Sequence, residues 1–146
     1  MCLIVDANVA VQFFCTTDPN SADLRNAVFG NGCCVVYGGY LREEYEKIDK
    51  ARRVVLALDR AGKARAIPDG PVEKRTAELK GSGVLNSDDP HIIALAEVSG
   101  SRLLHSLDIA LHHDFTNPAI INKPRGHVYQ GSAAHRHLVQ RYCEGC

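Results

Sequence analysis

The sequence predicts an α/β protein: a three-layer α/β/α sandwich on a mostly parallel central sheet. Three features carry that reading. Short apolar runs, LIV at 3–5, CCVVY at 33–37 and LL at 103–104, have the continuous apolar character of strands buried on both faces. Longer segments with helical spacing of apolar residues separate them. The chain has 146 residues, 45% of them hydrophobic, enough for one domain with a substantial core, and no repeat or low-complexity stretch divides it.

Taken in order, Cys2 to Val5 reads as the first strand and Asn8 to Phe14 as the first helix. TTDPNS, with Pro19, reads as a loop. Ala22 to Phe29 reads as a helix and Cys33 to Tyr37 as a strand, followed by a hinge at Gly38-Gly39. Tyr40 to Arg60 is predicted as the longest helix, with Leu41, Tyr45, Ile48, Val55 and Leu58 as its apolar stripe. AGKARAIPDG ends it, and Pro71 opens a further short helix. Asp89-Pro90 starts a helix that Gly100 terminates. Leu103-Leu104 forms the third strand, Ile109 to His113 one helical turn, PAII at 118–121 a fourth strand, and Ser132 to Tyr142 a C-terminal helix.

The charge balance excludes little. Seventeen basic residues face seventeen acidic ones, which counts mildly against a strongly basic nucleic-acid binder. The distribution is uneven: Lys47 to Lys80 holds ten Lys/Arg against five Asp/Glu, so either a solvated helix face or a functional basic rim lies there. Met1 leads straight into the first strand-like run, and no apolar segment approaches the ~20 residues of a membrane span. A soluble cytoplasmic protein with its six cysteines reduced is the expectation.

The acids stand out once placed on this frame. Asp6 ends the first strand, Asp108 lies just past the third in LLHSLD, and Asp89 begins the helix before that strand. Glu44 lies early in the helix after the second strand. Ligands of open parallel sheets sit at the carboxyl ends of strands, and right-handed crossovers bring these positions to one edge. Four carboxylates together repel unless a divalent cation sits among them, and oxygen ligands select Mg²⁺ or Mn²⁺. Each acid also has a plain structural role open to it. Asp6 and Asp89 are placed to cap helices, Glu44 to lie on a solvated surface, and Asp108 to make a turn.

With those residues in view, the sequence resembles the PIN domain family of metal-dependent ribonucleases. LIVDANV is similar to the family's first motif, REEYEKI to its second, SDDPHIIALA to its third and RLLHSLD to its fourth. The motifs spread over residues 3–115 of a single domain 1–146, and segment 116–146 carries little of the resemblance. Within them Glu44 is preferred to Glu43 because it precedes Tyr45 on the apolar stripe, and Asp89 to Asp88 by its three-residue step to Ile92. Asp114 is an additional ligand or a local cap.

The resemblance implies an endoribonuclease that hydrolyses single-stranded RNA with Mg²⁺ or Mn²⁺. Asp6 and Asp108 would be central ligands, completed by Asp89 and Glu44 directly or through water. Asn8 and Ser106 would orient the acids by hydrogen bonds. The basic segment from Lys47 to Lys80 would grip the RNA backbone. Small stand-alone members of the family are often toxins held by an antitoxin; others act in RNA processing or in defence, and pairing into homodimers is common. The rival reading is a PIN-like scaffold that binds RNA or a partner protein without cutting it.

Other signals stand beside these. CEGC at 143–146, with His135 and His137, has loose zinc-ligand spacing. Cys33-Cys34 reads as strand core, and His105, His112 and His113 as loop histidines with a weaker case for phosphate contact. A receiver domain would need an acidic pair at the first strand and a later lysine. An Asp-x-Asp phosphatase would need an acid where Asn8 stands.

Overall fold

Five short strands, all parallel, form one sheet in the computed structural model, which describes residues 2–30 and 32–143. The elements run β1 (Leu3–Val5), α1 (Ala7–Cys15), a 3₁₀ turn (Pro19–Ser21), α2 (Ala22–Phe29), β2 (Val35–Tyr37), α3 (Gly39–Glu46) and α4 (Asp49–Arg60). Then follow β3 (Ala64–Ala66), α5 (Asp69–Ser82), α6 (Pro90–Ser99), β4 (Leu103–His105), α7 (Ile109–Thr116), β5 (His127–Val128) and α8 (Ser132–Cys143). The strand order is β3-β2-β1-β4-β5, with Leu3 paired to both Val35 and Leu103. This is the three-layer sandwich the sequence predicts. The chain winds outward from β1 in both directions, so the crevice beyond the carboxyl ends of β1 and β4 is the switch point at which such sheets bind ligands.

The central strands are buried along most of their length. Leu3, Ile4, Val5, Val35, Val36, Leu103 and Leu104 are all fully buried, as their unbroken apolar runs require. Phe13 and Phe14 of α1 pack edge-on to each other, and Phe14 meets the ring of Tyr45 on α3. The Tyr45 hydroxyl donates to the carbonyl of Val5, fastening α3 to the last residue before Asp6. Among the described residues, no helix is long and apolar enough to cross a membrane.

Four sequence expectations are corrected. The single helix Tyr40 to Arg60 is two helices. Ile48 leaves the helical region (φ −110°, ψ 88°), and Asp49 restarts the chain with Arg52 and Arg53 bonded to its carboxylate at 2.9 Å each. The continuous apolar stripe hid the break, because both helices bury the same side. The segment expected only to end a helix contains β3, an edge strand of which only Ala64 is buried, too short and polar for its periodicity to register. PAII is not a strand. The carbonyl of Asn117 accepts from the N–H groups of Ile120 and Ile121, its side chain accepts from Ala119, and Pro118 has no N–H to give. The turn thus uses the donors a ladder would need, and the edge strand forms later, at β5. Finally, the thiols are not all reduced: Cys33 and Cys143 form a disulfide spanning 110 residues of sequence.

Gly38-Gly39 is the hinge the sequence predicts. Gly39 has φ +55°, and a Cβ there would lie 2.8 Å from Val72 Cγ1. Its N–H donates to Asp69 Oδ1 at 2.8 Å, fixing the start of α3 and hence the direction in which Glu44 leaves the sheet edge.

Candidate metal centre

Asp6 stands at the N-cap position of α1, yet its side chain makes no capping bond. The residue is 5% exposed, and besides Ser106 its carboxylate interacts with the Asn8 N–H in the first turn. Oδ2 accepts from Ser106 Oγ at 2.6 Å, across the β1–β4 seam. Ser106 is itself fixed. Its Oγ accepts from the Asp108 N–H at 3.1 Å and lies 3.4 Å from Asn8 Nδ2, and Asn8 Oδ1 lies 3.4 Å from the Leu107 N–H. One hydroxyl therefore connects the two strand ends that carry Asp6 and Asp108, and the expectation for Asn8 and Ser106 agrees with where they sit.

Asp89 likewise occupies an N-cap position, that of α6, without a capping bond. Its carboxyl lies within the influence of Asp108, which raises its pKa, and Asp108 Oδ1 accepts from Leu111 N–H at 3.2 Å at the start of α7. Glu44, half-buried on α3, places Oε2 3.0 Å from Nε2 of His91. Glu43 is exposed on the other side, beside Glu73 and Lys80, and Asp88 is exposed beside Leu79 and Lys80. Geometry thus favours Glu44 and Asp89 over their neighbours.

The electrostatics of these acids agree. Burial pushes the Asp6 carboxyl up from the ordinary 3.8, and the Glu44 charge adds to it, while the Ser106 hydrogen bond opposes. Burial also raises Asp89, to about 6, helped by the hydrogen bond to Asp108 and the charge of Asp6. The charges of Asp6, His91 and Asp108 act on Asp89. A proton on Asp89 relieves the repulsion that a divalent cation would otherwise neutralise.

The donor set is all oxygen and rich in anionic charge, which fits Mg²⁺ or Mn²⁺ in chemistry. Among the described residues, no three acids or histidines stand preset at ligand distances. Mutually repelling carboxylates need not converge without the ion.

The raised carboxyls set a pH dependence. Because the folded pKa of Asp89 exceeds its unfolded value, the folded chain holds the extra proton between about pH 4 and 6. Stability of the metal-free protein therefore falls as pH rises through that window. Thermal melts in chelator should show this decline, and Asp89→Asn should flatten it and raise the melting temperature above pH 7. An unchanged slope in the variant would show that Asp89 is not the group responsible.

Two residues carry roles that sequence reasoning missed or left open. His91 is buried, holds Glu44, and meets the exposed ring of Tyr40 edge-on at 5.0 Å between centroids. Its place in DPHII, one helical residue after Asp89-Pro90, was the available signal. Asp114 is fully buried and points at the loop before Asp89. It accepts from the Asn86 N–H at 2.9 Å, Asn86 Nδ2 at 3.1 Å and the Ser87 N–H at 2.8 Å. It tethers the loop that precedes Asp89, a role that neither the additional-ligand nor the local-cap expectation named. His112 Nε2 donates to the Ser106 carbonyl at 2.6 Å and so braces the same turn, while His113 is exposed.

Three cations of the expected basic grip are in ion pairs. Arg52 and Arg53 pair with Asp49, and Arg75 with Glu78 and Glu97. Lys47 is different: its Nζ lies 5.4 Å from the centre of the Tyr40 ring, beside His91. Leu107 and Ile109, both more than 60% exposed, flank Asp108. The rim of the carboxylate crevice is therefore aromatic and apolar, with one lysine against its tyrosine.

Comparison with protein-family models, with curated proteins and with solved structures finds no match.

Proposed function

We propose that this chain is a divalent-metal-dependent endoribonuclease acting on single-stranded RNA. One observation carries the reading: the buried Asp6 carboxylate, held by Ser106, stands with Glu44, Asp89 and Asp108 at the switch point of a parallel sheet. The resemblance of four motifs to the PIN family agrees with it. Bound Mg²⁺ or Mn²⁺ would lower the pKa of the attacking water and neutralise charge developing on the phosphate. Asp6, Asp108, Asp89 and Glu44 would hold the ions.

The chain's own groups divide the remaining work. Ser106 and Asn8 hold Asp6 and Asp108 in mutual register. His91 holds Glu44. The exposed Tyr40 ring offers a face on which an unpaired base can stack, and the Lys47 ammonium beside it suits the adjoining phosphate.

The test is cleavage of end-labelled single-stranded RNA in Mn²⁺, Mg²⁺ or EDTA by the wild type and Asp108→Asn. Cutting by the wild type alone, lost in EDTA, is the expected result. No cutting by either, with no calorimetric binding of Mn²⁺, would replace the enzyme with an RNA- or protein-binding scaffold. Ser106→Ala should cut roughly 10–100-fold more slowly, the usual cost of losing a group that orients a metal ligand. Equal rates would remove Ser106 from the site.

A toxin role is the regulatory form of the same proposal. An inhibitory protein would place Arg or Lys against the acids, substituting its charge for the cation. Growth arrest on expression, relieved by Asp108→Asn, is the expected sign; harmless overexpression would favour RNA processing. Protein from such cells should report the oligomeric state by light scattering, a homodimer being expected.

A further inference from the structure

A cleft of about 560 Å³ lies between α7, β5 and α8. That volume is within the ~300–1,000 Å³ range of pockets that take small molecules. One wall is a face of α7: Ile109, His112, His113 and Thr116 recur at helical steps of three and four. His127 of β5 and His135 and His137 of α8 line the other side. Gly126 lets the two approach, since a Cβ there would overlap the Phe115 carbonyl. The Gln130 side-chain amide then donates to His112 Nδ1 at 3.2 Å and ties them together. The zinc spacing of CEGC does not claim these histidines: Cys143 is joined to Cys33, and Cys146 lies outside the described residues.

The cleft is rich in cations and N–H donors. Among the described residues, no Asp or Glu lines it. Arg125 does line it, exposed, with its Nε donating to the Thr116 carbonyl at 2.8 Å. That bond fixes the guanidinium by one nitrogen and leaves its terminal fork, the group that grips phosphate oxygens in pairs. Burial pushes the His127 imidazole below its ordinary 6.5, and the charges of Arg141, Arg125 and His137 add to it. An anion placed among these groups offsets their repulsion. Imidazole gives an N–H to such an anion in its neutral and its charged form. Of the two histidines expected to have a case for phosphate contact, His112 has both ring nitrogens bonded, to the Ser106 carbonyl and to Gln130. His113 is exposed and lines the cleft.

The cleft adjoins the carboxylate crevice at the start of α7. Ile109 lines the cleft and directly follows Asp108, so one strand can run from the crevice into it. We propose that the cleft holds a nucleotide of the RNA strand adjoining the scissile bond, with its phosphate on Arg125, His113 and His137 and its sugar and base against Ile109, Val128 and Leu138. The inference rests on the ribonuclease reading. A free nucleoside monophosphate has the same chemistry; continuity with the crevice through Ile109 favours the strand.

The test is binding of fluorescein-labelled single-stranded RNA to the full chain in EDTA, read by anisotropy across a salt series, so that cleavage contributes nothing. Arg125→Gln should weaken binding roughly tenfold and reduce the slope of log K against log salt by about 0.7, the share of one phosphate contact on a single strand. Arg125→Lys, which keeps the charge, should retain the slope. Arg53→Gln, on α4 beside the β3 edge of the sheet, should alter neither quantity. Adenosine 5′-monophosphate should compete only at concentrations far above those of the RNA. A slope indifferent to Arg125→Gln would overturn the proposal, and an equal loss in Arg53→Gln would replace it with diffuse attraction. A slope lost equally in Arg125→Lys would make the effect structural, and a monophosphate competing as well as RNA would assign the cleft to a free nucleotide. Failure of this inference and of the nuclease reading are separable. Binding that depends on Arg125 without any metal-dependent cutting removes the nuclease alone; cutting with binding indifferent to Arg125 removes the cleft alone.

Discussion

Replacing Asp6 with asparagine is expected to slow metal-dependent RNA cleavage by roughly 10³-fold or more, with the melting temperature unchanged or raised. The magnitude corresponds to about 4 kcal/mol of lost transition-state stabilisation at 1.36 kcal/mol per decade, a typical share for an ion that both activates water and neutralises phosphate. The effect on stability has the opposite sign from a usual buried-polar deletion. Burial and Glu44 raise the Asp6 pKa, so its ionised form destabilises the metal-free fold above the unfolded pKa. Asparagine keeps an oxygen for the Ser106 hydroxyl and removes that charge. Cleavage assays beside thermal melts in chelator check both halves. Wild-type cleavage by the variant would remove Asp6 from catalysis, and a large fall in melting temperature would make it a structural residue.

Asp114→Ala should destabilise the fold by about 3 kcal/mol, since charge-assisted hydrogen bonds are removed and buried N–H groups lose their acceptor. For a chain of this length that is a fall of roughly 6–12 °C in melting temperature. Below that temperature, cleavage should still drop, because the loop presenting Asp89 loses its tether. Amide exchange at Asn86 and Ser87 distinguishes the tether from a ligand. Tethering predicts fast exchange there in the variant and protection in wild type, with or without metal. Exchange unaltered by the substitution would make Asp114 something other than an anchor.

Much of this arrangement was legible because the strongest signals are local. LIV followed by Asp, and LL followed by Ser-x-Asp, each state a buried strand and a charged residue at its end. Helix α2 and the start of α6 coincide with their expected bounds, since Gly30 and Pro90 carry clear boundary chemistry. What escaped notice depends on partners distant in sequence. His91 looks like one more residue of an apolar helix until Glu44, 47 positions earlier, packs against it. The role of Asp114 follows from the Asn86 loop, 28 positions away. The break at Ile48 is invisible to periodicity because the apolar stripe resumes in phase. The disulfide joins residues 110 apart, a pairing that no spacing rule reaches.

Helix α7 has an acid at each end of its working length. Asp108 opens it towards the crevice, and Asp114, six residues on, grips the loop that delivers Asp89. Six residues of α-helix advance about 9 Å and turn about 600°. The helix is therefore a ruler, and its length in residues is a constraint separate from the identity of either acid. Inserting one residue between them would swing the second carboxylate by about 100° and release the loop while both acids remain in the sequence. Distant homologues of this chain should accordingly preserve the interval D-x₅-D after an apolar strand more faithfully than the residues inside it.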